Sequence, residues 1–208
     1  MTQILEHSVP FIAFIIVTNI IIWSGLDPAL PDVWLAEIIP VVLILAPLLI
    51  TYRFFRFSNT AYILIAIWMS LHTIGAHYTF ANVPFDWFND LIGSQRNNFD
   101  RLAHFSIGLY AFPIAEFLVR KQVCKPFWAS VFALVTIMAI AASYEIIEWW
   151  YAVLAGGEAG VEFLGSQGDI WDAQKDMLAD TLGAITSLVI FHIIKPYQPA
   201  HNTNQQAW

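Results

Sequence analysis

Four aspartates, Asp169, Asp172, Asp176 and Asp180, crowd the stretch GSQGDIWDAQKDMLADTLGAITSLVI from Gly165 to Ile190. The last three are spaced by four residues, so on a helix they stack on one face, turn over turn. Like charges placed this way repel each other. Where a helix enters lipid, ionisable groups are costly and usually functional. Something cationic should therefore face them, and the chain offers a metal ion, Arg101, or the histidines His72, His77 and His104.

The remaining ionisable residues in apolar surroundings form a short set. Glu145 and Glu148 are three apart and share a helical face. Two carboxylates with imidazoles at similar depth fit the way helix bundles build metal sites; alternatively, one pairs with Arg101 and the other faces water. His72 and His77 are five apart, roughly 140° around a helix, so at most one of them is a direct ligand or catalyst. Arg101 and His104 also share a face. The planar fork of Arg101 suits a phosphate or carboxylate clamp, or its stem lies in lipid with the head at the interface. His104 suits a metal ligand, a general base or a nucleophile. Asp169 fits an N-cap or the turn before the helix, and Asp172 fits the positive end of the helix dipole. Asp176 and Asp180 lie too deep for either explanation. The spacing of an EF-hand loop is absent. Glu116 and Arg120 read as a structural pair. The metal-ligating candidates are thus Glu145, Glu148, Asp172, Asp176 and Asp180 with His77 or another of the histidines; the catalytic candidates are His104, Arg101 and His72.

These residues need membrane-spanning helices to position them. The chain has 208 residues, of which 58% are hydrophobic and 12% charged, with a mean hydropathy of +0.62. That is the balance of a polytopic membrane protein. Its net charge of −7 argues against a nucleic-acid partner. The lone cysteine, Cys124, excludes an internal disulfide. The fold class expected is an all-α bundle of about six transmembrane helices in one domain over residues 1–196, followed by a polar, disordered tail over 197–208. The spans run from about Val9 to Leu26, Leu35 to Thr51 (bent at Pro40 and Pro47), Thr60 to Phe80, Phe99 to Val119, Phe127 to Ala155 and Lys175 to Ile194. The first is read as a retained span, not a signal peptide, because no Lys or Arg precedes it.

Loop charges set the expected orientation. Arg53, Arg56, Arg120, Lys121, Lys125 and Lys195 follow the even-numbered spans. Acids dominate the odd-numbered connections. By the positive-inside rule both termini are cytoplasmic. His72, Arg101, His104, Glu145, Glu148 and the aspartate ladder then come to one depth near the outer face. Residues 82–98 suit a short amphipathic helix at that interface, and Gly156 to Gly168 reads as a Gly-rich loop or lid.

Three segments resemble those of VanZ-like membrane proteins: FDRLAHF (Phe99 to Phe105), YEIIE (Tyr144 to Glu148) and DMLADTLGA (Asp176 to Ala184). Asp180 stands where that pattern usually has Asn, and its arginine shortly before Asp176 is missing. From about Thr51 onward the chain is more similar to the YjdF-like family of inner-membrane proteins, through the segment His72 to Tyr78 and GDIWDAQKDMLADTLGA. The resemblance implies a helical inner-membrane protein of the cell envelope and no particular substrate.

The functional expectation is a metal-assisted hydrolase or transferase acting on a lipid or lipid-linked headgroup. One or two divalent cations, Zn, Mn or Fe in preference to Ca, would be held by the carboxylates and a histidine, with membrane lipids as partners and the oligomeric state open. Two further classes stay open: a proton- or cation-coupled transporter, and a structural or partner-binding envelope protein. Against the transporter, the cytoplasmic halves of the spans are nearly all apolar. Against a purely structural ion-pair network, four aspartates and two glutamates face one arginine.

Overall fold

The computed structural model describes residues 2–198, with side chains from Ser8 onward; most of the tail expected to be disordered lies outside the described residues. The described chain is helical, without strands. Its elements are α1 (Thr2–Ser24), α2 (Pro31–Thr51), α3 (Asn59–Tyr78), a 3-10 turn (Phe80–Asn82), α4 (Asp86–Leu91), α5 (Phe99–Gly108), α6 (Ala111–Arg120), α7 (Pro126–Ala155), α8 (Gly157–Leu164) and α9 (Asp172–Ile194). Five segments are long and apolar enough to cross a membrane, and Ser8–Ser24 is a shorter apolar helix.

Local chemistry explains the ends and breaks. Pro31 and Pro126 open α2 and α7, positions where the missing N–H costs nothing. Ser58 caps α3, its hydroxyl accepting from the Ala61 amide. Pro40 and Pro47 lie inside α2, which continues through both. The fourth crossing, Phe99–Arg120, is two helices in place of the single span expected. Pro113 has no N–H to bond the Leu109 carbonyl, and that carbonyl accepts from Phe112 instead. The chain turns at Leu109 and Tyr110 between α5 and α6.

The amphipathic helix expected near residue 88 is α4. The Gly-rich segment expected as a loop is helical instead, as α8. A Cβ on Gly160 would lie 2.6 Å from the Ala152 carbonyl oxygen, so only glycine lets α8 lie against α7. Phe163 then packs on Tyr151, with ring centroids 4.0 Å apart. Thr79 and Asn82 donate to Glu162, tying α8 to the turn after α3.

Paired residues give the helix directions. Arg101 meets Asp172 and Asp176, His104 meets Asp180, and Phe112 meets Phe191. The partners advance together along both segments, so α5 and α6 run parallel to α9. Ser130 bonds His192 near the opposite end of α7, which is therefore antiparallel to α9. The main core is apolar, built around Met69, Phe112, Ile137 and Phe191. At the end of the bundle carrying Arg53 and Arg56, Glu116 is fully buried and accepts from the Ser58 amide and hydroxyl and from Arg120. The polar cluster sits at the other end.

Candidate metal centre and cavity

Backbone contact between α5 and α9 sets the site. Gly108 and Gly183 leave room for the two helices to touch, as small residues do between membrane helices. A Cβ on Gly108 would lie 2.2 Å from the Asp180 carbonyl oxygen. At this separation the α5 face carrying Asp100, Arg101 and His104 meets the aspartate ladder directly.

His104 is held by Asp180. Its Nδ1 lies 3.3 Å from both carboxylate oxygens. A carboxylate accepts, so Nδ1 is the nitrogen that donates to Asp180, and Nε2 points to the other side of the ring. Nε2 lies 3.7 Å from Asp100 Oδ1 and 3.8 Å from Asp176 Oδ1. Asp100, His104 and Asp176 each offer a ligand atom within 4.8 Å of one another. Ligand atoms on a tetrahedral zinc lie roughly 3.4 Å apart, so the three groups would draw together slightly to share one ion, Asp176 while also accepting from Arg101. A carboxylate on the far nitrogen is the usual support for a metal-binding histidine. The donor set, one imidazole and two carboxylates, suits Zn, Mn or Fe. Glu145 Oε1 is buried without a hydrogen-bond partner, and this residue lies within electrostatic range of Asp100, His104 and Asp176.

Two arginines brace the cluster. Arg101 donates to Asp172 at 2.5 Å and to Asp176. Arg96 lies 2.7 Å from Asp172 and 3.2 Å from Asp100, and it donates to the Ser166 and Gly165 carbonyls. Asp169 sits in the turn before α9. It accepts from Lys175 at 2.6 Å and from the Trp171 amide. The Lys175 hydrogen bond, helped by that amide, holds its carboxyl below the usual carboxylate range.

A cavity of about 110 Å³ adjoins the triad. Asp100, His104 and Asp180 form one wall and Glu148 another. His72 lines it too. Its Nε2 lies 2.9 Å from the Glu37 carbonyl oxygen and 3.2 Å from Glu37 Oε2, which also accepts from the Tyr144 hydroxyl at 2.6 Å.

The expected residues therefore divide. Asp176 and His104 come together, with Asp100, as candidate metal ligands, and Asp180 lies against His104 Nδ1. Glu148 and His72 reach the adjoining cavity. Asp172 is taken by the two arginines. Arg101 is not free as a phosphate clamp, because its fork is closed on Asp172 and Asp176. His77 is left out: its Nδ1 bonds the Ser24 carbonyl oxygen, and its ring packs on Trp23 and Tyr78. The rotation between positions 72 and 77 turns it toward α1. Four participants were missed. Asp100 shares the helical face of His104, four residues on, and that spacing could have found it. Glu37 is a carboxylate inside an apolar run, a costly placement that itself signals a role. Arg96 lies in a connection, outside any helical period, and Tyr144 passes as an ordinary aromatic.

The chain matches the family described as "Predicted membrane protein (DUF2238)" over residues 9–196. It is 35% identical over 192 residues to the inner membrane protein YjdF of Escherichia coli, covering 91% of each chain. No solved structure matches it. With its apolar helices, the chain is a multi-pass inner-membrane protein and belongs to the DUF2238 family, alongside YjdF.

Proposed function

We propose that this chain is a metal-assisted hydrolase or transferase acting on a lipid or lipid-linked envelope headgroup. The observation that carries the reading is the Asp100–His104–Asp176 triad, with His104 turned toward its two partners by Asp180. A divalent cation held there would supply Lewis acidity and acidify a water. Arg96 and Arg101 keep Asp100, Asp172 and Asp176 in place under their mutual repulsion. His72, with Nε2 held by Glu37, offers Nδ1 to move a proton in the adjoining cavity. The loop charges favour an outer-leaflet site with both termini cytoplasmic. The likeness of Phe99 to Phe105 and of Asp176 to Ala184 to VanZ-like proteins supports an envelope role.

The test is headgroup release. The protein is reconstituted in inner-membrane lipid extract with Zn, Mn or Fe, and products are followed by mass spectrometry. Turnover that needs the metal and is lost in Asp176→Asn supports the reading. A protein that binds metal and turns over none of the extract's lipids or lipid-linked precursors contradicts it.

A further inference from the structure

The cavity beside the triad has a chemistry of its own. Trp68, Phe80, Tyr144 and Phe163 supply aromatic surface, while Ile44, Ile107 and Ile140 extend it with aliphatic wall. Its ionisable lining is Asp100, Asp180, Glu148, His72 and His104; neither Arg96 nor Arg101 reaches it. Asp100, Asp180 and His72 have partners described above. Glu148 does not. It is 7% exposed, and among the described residues no hydrogen bond or ion pair meets its carboxylate. A buried carboxylate without a partner is costly, and this one lines a partly open cavity that also carries aromatic rings.

A phosphate or sulfate placed there would meet three carboxylates and no arginine or lysine, and the two histidines are already engaged by Glu37 and Asp180. An amine or quaternary ammonium would meet an unpaired carboxylate and aromatic faces, the combination that binds organic cations. The aliphatic wall accommodates a hydrocarbon attached to that cation. α2 packs on α3 and α8, and the Tyr144–Glu37 hydrogen bond links it to α7.

We infer that this cavity binds the cationic nitrogen of an amphiphilic amine, with Glu148 as its counter-ion. The inference shares the site of the proposed headgroup chemistry and names the group that chemistry would meet, yet it does not need the metal. A protein that binds amines and holds no metal would keep this inference and lose that reading.

The test is calorimetric titration of the full chain in phosphatidylglycerol nanodiscs, with empty nanodiscs as the blank. The probes are dodecylamine, dodecanol and dodecyl phosphate. Dodecylamine should bind saturably, at least about tenfold more tightly than either other probe, and Glu148→Gln should remove most of that preference. Trp68→Phe keeps an aromatic face and should retain it. Competition by phosphatidylethanolamine would make the natural amine a lipid's; competition by spermine alone would make it a soluble one. Equal binding of dodecanol, tighter binding of dodecyl phosphate, or a folded Glu148→Gln protein with unchanged preference would overturn the inference.

Discussion

No side chain fits between Gly183 and Phe105. A Cβ on Gly183 would stand 1.9 Å from the Phe105 carbonyl oxygen, so the two backbones meet directly one residue beyond His104. Gly183→Ala must push α9 away from α5. Overpacking of this kind costs about 1–3 kcal/mol, and it separates Asp180 from His104. Thermal unfolding should show the loss of stability, and metal affinity should fall although no ligand has been touched. A variant with parental stability and parental metal binding would show that the helices do not pack this closely.

The Asp180–His104 contact makes its own prediction. Asp180→Asn keeps a hydrogen-bond acceptor for Nδ1 and removes the charge that strengthens the imidazole as a ligand. Metal affinity should fall about 10- to 100-fold, less than in His104→Ala, which loses the ligand itself. Competition against a fluorescent chelator reads both. Equal losses in the two variants would assign Asp180 to direct ligation.

Much of this arrangement is legible in the sequence, and the rest has a common reason for being hidden. The apolar runs define the crossings. The four-residue spacing from Asp172 to Asp180 and the shared face of Arg101 and His104 fix what each helix presents. Periodicity says nothing about which helix receives that face. The parallel pairing of α5 with α9 depends on Gly108 and Gly183, whose meaning appears only when the two meet. Arg96 changes the charge balance most. Counting Arg101 alone made the cluster look uncompensated, and a second arginine from the connection before α5 partly answers it.

Arg96 also ties that connection to the turn before α9. Arg96→Ala removes its bonds to Gly165 and Ser166 and leaves Asp100 and Asp172 facing one arginine. The loss should be about 1–3 kcal/mol, with faster amide hydrogen exchange over residues 165–171. Unchanged exchange there would mean that the turn is held by other contacts.

At the exposed rim, the depressed carboxyl of Asp169 links pH to stability. A group whose folded value is lowered contributes stability above its unfolded value, about 3.9 for aspartate, and loses it as pH falls through the folded value. Lys175→Ala should return the Asp169 carboxyl toward the ordinary range and flatten the acid limb of the stability curve. Carbon-13 titration of the Asp169 carboxyl checks this. An unchanged titration in Lys175→Ala would assign the depression to another neighbour.

The central claim is that Asp100, His104 and Asp176 hold a divalent cation. Elemental mass spectrometry of detergent-purified protein without a histidine tag tests it most directly, with His104→Ala and Asp176→Asn measured beside the parent. The account predicts at least one Zn, Mn or Fe ion per parent chain, lost from both folded variants. A parent chain that takes up no ion after incubation with each of the three metals would contradict it and leave the cluster a braced ion-pair network.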